Sequence, residues 1–175
     1  MPSNHQREPG AGSLLFLTEN PSVRAWPDDW DERKRGKDCP MCASGRPEET
    51  PYGVRIKAGV HSDAYLQRHG VVRGYSIVIW RGRHVAEPTE LEWEEAAGYW
   101  REVLDVARAL EDYYQPVKIN LEMLGNTMPH LHTHVRPRYK YDPAPFGPLP
   151  HSLDDPAFPD GQLRDDVAAL RKRLA

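Results

Sequence analysis

Gly125-Asn126-Thr127-Met128-Pro129-His130-Leu131-His132-Thr133-His134-Val135 is the stretch that decides how this chain is read. Three histidines stand at every second position, the period of a β-strand, in which residues i, i+2 and i+4 share one face. The spacing predicts a strand over 131–135 with all three imidazoles on one side and Leu131, Thr133 and Val135 on the other. Gly125 and Asn126 supply a turn before it, and Pro137 is expected to end it. At about 3.3 Å per residue, His130 and His134 start roughly 13 Å apart along the strand. A single metal ion with ligand bonds of about 2 Å would not take all three. The histidines must therefore divide at least two roles, because burying three unpartnered imidazoles would carry a desolvation cost.

Working outward, 117–124 alternates as a strand, and Tyr75-Ser76-Ile77-Val78-Ile79-Trp80 is rich in β-branched and aromatic residues. Weaker strand patterns cover 52–57 and 64–67. Thr89-Glu90-Leu91-Glu92 reads as a capping box that opens a helix. Trp93, Ala97, Trp100, Leu104, Ala107 and Leu110 then recur at helical spacing as one apolar face, and Pro116 closes the pattern. Gln162 to Leu174 reads as a short second helix. Strands, a long helix, strands and a short helix predict an α+β fold with a mostly antiparallel sheet. No internal repeat is present. Residues 1–38 form a polar arm expected to reach the body through Trp26 and Trp30, and 39–142 form the compact domain. Residues 143–175 hold a proline-rich irregular crossing and the short helix, on the same domain.

A length of 175 residues favours one domain. Lys plus Arg is 23 against 26 for Asp plus Glu, a net charge of -3, so the basic surplus of a general nucleic-acid binder is missing. The densest apolar run, 76–80, is too short to span a bilayer, and the first residues carry no hydrophobic secretion segment. The expectation is a cytoplasmic protein. Its two cysteines sit as Cys39-Pro40-Met41-Cys42. In a reducing compartment that spacing points to metal or redox chemistry. A structural zinc needs two further ligands, for which His84 and His130 are the candidates; a redox dithiol is the alternative. With His130 on zinc, His132 and His134 are left for chemistry. His5, His61, His69 and His151 are assigned to loops.

The motifs KIN (118–120), LGN (124–126) and PHLHTHVRPRY (129–139), with SIVIWRGRHV and CPMC upstream, resemble the histidine triad (HIT) family across residues 39–142. The resemblance implies the HIT-like fold, a homodimer formed through the long helix and an adjoining strand, and the zinc site of the bacterial members on Cys39, Cys42, His84 and His130. It also implies a hydrolase acting at the α-phosphate of nucleotidyl substrates: dinucleoside polyphosphates, nucleoside phosphoramidates or adenylylated small molecules. His132 takes the position of the nucleophile that forms a covalent nucleotidyl-histidine, and His134 that of the group beside the leaving oxygen. Thr127, Asn120 and Asn126 match polar positions near the phosphate. Gln67 falls where many members carry a ribose-binding Asp, an altered contact. Thr133 and Arg136 stand where the pattern is hydrophobic, and Trp80 replaces a common proline. The alternatives are a nucleotidyltransferase or phosphorylase using the same intermediate, a nucleotide-binding protein with weak turnover, and a metalloenzyme with its metal at His132 and His134.

Overall fold

The computed structural model describes residues 26–150 and 155–175. The chain divides into two units, one ending at Trp30 and one spanning Asp31 to Ala175. In the first, the rings of Trp26 and Trp30 lie against each other with centroids 4.5 Å apart. Residues 1–25 of the expected N-terminal arm, with His5, lie outside the described residues, as does His151.

In the second unit, most of a short helix, α1 (Trp30–Lys34), and the one-turn α2 (Pro40–Ala43) lead into a hairpin of β1 (Gly53–Ala58) and β2 (Ser62–Gln67). Next come β3 (Ser76–Trp80), the long α3 (Trp93–Tyr114), β4 (Lys118–Glu122), β5 (His132–Arg138) and α4 (Asp160–Arg173). The five strands form one sheet in the order β1-β2-β3-β5-β4, every neighbouring pair antiparallel. Since β5 is antiparallel to both neighbours, β3 and β4 run parallel, joined by α3 and separated by one strand. The chain returns to fill that gap with β5. The histidine strand is therefore interior to the sheet, hydrogen-bonded on both sides.

One face of the sheet carries the core. Tyr99, Val103, Val106 and Leu110 of α3 pack with Ala64, Leu66, Val78, Trp80 and Val135, and α4 adds Leu163, Val167 and Leu170. This buried stripe overlaps the expected one only at Ala107 and Leu110. Trp93, Trp100 and Leu104 are 86%, 39% and 40% exposed. Both stripes have helical spacing, and the sheet takes the one of β-branched and aromatic residues set off by roughly a quarter turn. The capping box also shifts by three residues. Glu95 accepts from the Glu92 backbone N–H, while Thr89 lies in a 3-10 turn over Pro88–Glu90.

Two departures from the sequence pattern have local reasons. Thr133 is fully buried on the core face, where its hydroxyl is 2.8 Å from the Tyr99 hydroxyl, which donates onward to the Val78 carbonyl. Pro137 does not end β5. It pairs with Ile119 of β4, and its missing N–H points past Ser76, where β3 has already begun. Beyond β5, the described part of the proline-rich crossing has neither helix nor strand and is held by two arginines. Arg138 forms a two-pronged pair with Asp142 and donates to the Gly147 carbonyl, and Arg136 donates to the carbonyls of Leu149 and Pro150. No helix among the described residues is long and apolar enough to cross a membrane.

Candidate active site and metal centre

The two cysteines come from a knuckle. Cys39 caps α2 and Cys42 lies three residues on, so both sulfurs leave the same side of a single turn. His84 follows β3 and His130 precedes β5. The four donors, Cys39, Cys42, His84 and His130, lie within 4.8 Å of one another. Cys39 Sγ is 3.4 Å from His130 Nδ1, and Cys42 Sγ is 3.4 Å from His84 Nδ1 and 3.5 Å from His130 Nδ1. Tetrahedral zinc with its usual bond lengths requires sulfur–nitrogen separations of about 3.5 Å. The remaining ring nitrogens are also committed, His130 Nε2–H to the Trp80 carbonyl (3.0 Å) and His84 Nε2–H to that of Lys34 (3.1 Å). That arrangement leaves both Nδ1 lone pairs pointing at the sulfurs. Gly36, at φ +94°, makes room: a Cβ there would lie 2.9 Å from the His84 ring. Without a cation the set is uncomfortable, for burial and the adjacent Cys39 push the Cys42 thiol up to about 11. The donor set thus fits a divalent, thiolate-preferring ion.

Beyond this centre, β5 presents His132, His134, Arg136 and Arg138 on the face opposite α3. His132 Nδ1–H donates to the His130 backbone carbonyl at 2.6 Å. Its Nε2 is thereby left with a lone pair, and burial holds the imidazole below its ordinary value, against the carbonyl's opposing pull. The result is a neutral, oriented imidazole whose Nε2 lone pair is available for nucleophilic attack. The His134 ring is edge-on to His132, centroids 4.8 Å apart, and its Nδ1 is 2.7 Å from the Tyr75 hydroxyl. Half-buried Ile77 and Ile79 lie across from His134 and His132 in the register and give the face an apolar strip beside the imidazoles.

The polar residues singled out in the sequence are placed unevenly. Asn120 pairs with Arg136 across β4 and β5, on the histidine face, with its Oδ1 buried and without a partner. Asn126 and Thr127 are exposed in the loop leading to His130, and neither hydrogen-bonds to His132 or His134. Gln67 ends β2 on the same face, with its amide donating back to the Tyr65 carbonyl at 3.3 Å. Trp80 is a core residue: its ring meets Tyr99 edge-on and its indole N–H donates to the Arg83 carbonyl. The sequence reading missed Tyr75, Glu122 and Asp63. Glu122 faces His134 across the β4–β5 pair and lies 3.6 Å from Arg136. Asp63 is gripped in two prongs by Arg46 and also by Arg81, a cluster of net positive charge beside Ile79. Only strand register could have brought these residues to the site. No group of three metal-ligating side chains surrounds His132 and His134 among the described residues.

Residues 57–141 match the model of the HIT domain. A Bacillus subtilis protein named Protein hit is 30% identical over 127 residues, 70% of this chain and 86% of the relative. The chain belongs to the HIT family. Solved HIT structures share the fold. A histidine triad protein from Sinorhizobium meliloti has a TM-score of 0.64 at 25% identity, covering 70% of this chain and 90% of that one. One from Bradyrhizobium japonicum has a TM-score of 0.65 at 23%, covering 70% and 91%. A zinc-bound histidine triad family protein from Mycobacterium smegmatis has a TM-score of 0.54 at 22%, covering 79% and 91%. These HIT structures account for the interior histidine strand and its antiparallel sheet.

Proposed function

We propose that this HIT protein hydrolyses nucleotidyl substrates at the α-phosphate through a covalent nucleotidyl group on His132. The observation that carries this reading is the pair of adjacent imidazoles held by different partners, His132 through Nδ1 to a carbonyl and His134 through Nδ1 to a phenol. In the first step His132 Nε2 attacks the α-phosphorus. The bond to the leaving oxygen, or nitrogen in a phosphoramidate, breaks, and its electron pair departs with that atom under a hydrogen bond from His134. Water then attacks the phosphorus, the N–P electron pair returns to His132, and the proton of the water goes to the monophosphate product, to a site base or to solvent. Asn120 Oδ1, buried and unpartnered, orients a substrate hydroxyl or water. The Asn126 and Thr127 side chains at the mouth donate to phosphate oxygens as negative charge develops. Gln67 contributes an amide where a ribose would be held, a weaker grip on a diol than a carboxylate gives.

Zinc on Cys39, Cys42, His84 and His130 has a structural role in this reading. It ties the N-terminal knuckle to the end of β3 and the start of β5, and no ligand position is left open for water. The protein, composed of an arm, a zinc-bearing HIT domain and a C-terminal crossing with α4, pairs as a homodimer through Trp100 and Leu104 of α3 and Leu121 of β4, all exposed in the single chain. A Trp100→Glu, Leu104→Glu variant is expected to sediment as a monomer while the parent sediments as a dimer. Equal sedimentation of the two would remove this interface.

Intact-mass spectrometry after a rapid quench that avoids acid tests the function. The protein is mixed with diadenosine tetraphosphate, an adenosine phosphoramidate and ADP-glucose. A transient gain of one adenylyl group, absent from His132→Asn, is expected, with water alone clearing it. Clearance only on addition of inorganic phosphate or a sugar phosphate would make the protein a phosphorylase or transferase. No adduct and no turnover with any substrate would defeat the hydrolase reading.

A further inference from the structure

Tyr75 is the last residue before β3, one position ahead of Ser76, which pairs with Val135 of the histidine strand. It lies on the histidine face because it alternates with Ser76, which is fully buried on the core side. Gly74 delivers it. At φ +87° that glycine takes the left-handed turn into the strand, and a Cβ there would meet the Tyr114 ring at 2.5 Å. The Tyr75 ring then stacks on His134 with centroids 5.9 Å apart and planes 20° from parallel, and its hydroxyl is 2.7 Å from His134 Nδ1. The Arg136 guanidinium lies over the Tyr75 ring, 4.4 Å from its centre. Arg136 is 2% exposed, and Glu122 lies 3.6 Å from it. A cation, a phenol and an imidazole thus lie together behind the leaving-group side of the site.

The contact of these three groups decides the direction of the hydrogen bond. A phenol is a better donor than acceptor toward the lone pair of a neutral imidazole. A guanidinium against the ring draws electron density from the phenol oxygen and strengthens that preference. We propose that Tyr75 is a positioning residue whose O–H donates to His134 Nδ1, fixing His134 as the tautomer with its proton on Nε2, toward the leaving group. His132 has the opposite arrangement, with its proton on Nδ1 and a lone pair on Nε2. One imidazole is therefore set to attack and its neighbour to donate. This deepens the hydrolase reading and rests on His134 facing the leaving oxygen.

The proton balance follows. With a weakly basic leaving group such as a phosphate, the hydrogen bond from Nε2–H suffices and no proton moves. With a basic leaving group such as an amine, the departing atom takes the Nε2 proton and the Tyr75 proton passes to Nδ1. The negative charge then rests on the phenolate facing Arg136. When water attacks the phosphorus after an amine has left, its proton returns by the reverse path; after a phosphate has left, His134 still holds its Nε2 proton and the water proton passes to solvent or stays on the monophosphate product. Burial raises the Tyr75 phenol above its ordinary value while Arg136 acts against this, in keeping with a phenol that is protonated at rest.

Tyr75→Phe keeps the ring stack and removes the O–H. Nitrogen-15 NMR of histidine-labelled protein is expected to show His134 with Nε2 protonated in the parent, and a mixture of both tautomers in the variant. Across a series of adenosine 5′-monophosphate aryl esters and a phosphoramidate, kcat is expected to fall about 10–100-fold for the most basic leaving group. It should be nearly unchanged for p-nitrophenolate, with KM constant throughout. A His134 protonated on Nδ1 in the parent, or an equal loss across the series, overturns the assignment. The NMR arm needs no turnover. If no nucleotide ester were hydrolysed, the hydrolase reading would fall, and the tautomers of parent and variant would still decide the role of Tyr75.

Discussion

His132→Asn is expected to lower kcat by about four orders of magnitude or more while leaving the melting temperature and nucleotide affinity close to those of the parent. The magnitude follows from the chemistry. No other uncommitted imidazole on this face is held with a free lone pair: the His134 Nδ1 faces Tyr75 and the His130 ring is turned into the cysteine cluster. Asn retains a side-chain N–H that can reach the His130 carbonyl, so the strand keeps its local bond and the fold is spared. Single-turnover kinetics with an adenosine phosphoramidate, read beside a binding titration with AMP, separates the two effects. Turnover within a factor of about ten of the parent would rule out the covalent route, because loss of a nucleophile is not absorbed by its neighbours.

The alternation of His130, His132 and His134 made it legible that one metal would not hold all three, since a strand period and a metal bond length suffice to separate His130 from His134. The four cysteine and histidine donors were legible for the same reason: their chemistry restricts what they can hold. Burial on α3 was not. Trp93, Trp100 and Leu104 form as good an apolar stripe as Tyr99, Val103, Val106 and Leu110, and hydropathy cannot tell a core face from a face left exposed on the single chain. Nor was Tyr75 legible as a partner of His134. The two are 59 residues apart, and what joins them is the β3–β5 register, set by β5 entering between β3 and β4. Arg136 stood out as a charge in a hydrophobic position, yet its reason lies in three groups from elsewhere: Glu122, the Tyr75 ring and the carbonyls of the proline-rich crossing.

The same physical economy bears on the metal centre. Cys39→Ser is expected to release zinc on purification and to destabilise the protein by several kcal/mol, with activity falling as a consequence. Serine is nearly isosteric but keeps its proton at neutral pH and is a poor zinc ligand, so the set drops to three donors. The cost extends beyond the metal. Metal binding free energy becomes folding free energy where the site exists only in the folded chain. Here the donors are drawn from α2, the segment after β3 and the segment before β5, up to 91 residues apart. The His130 ring that ligates the metal also donates to Trp80, and the His130 carbonyl receives Nδ1–H of His132. Releasing the metal therefore loosens the residue that orients the proposed nucleophile. Elemental analysis with thermal unfolding, each with and without chelator, checks this. A parent that is zinc-free when purified without chelator would refute the structural metal. A Cys39→Ser protein that keeps one zinc per chain and its melting temperature would show that the cluster does not hold the fold together.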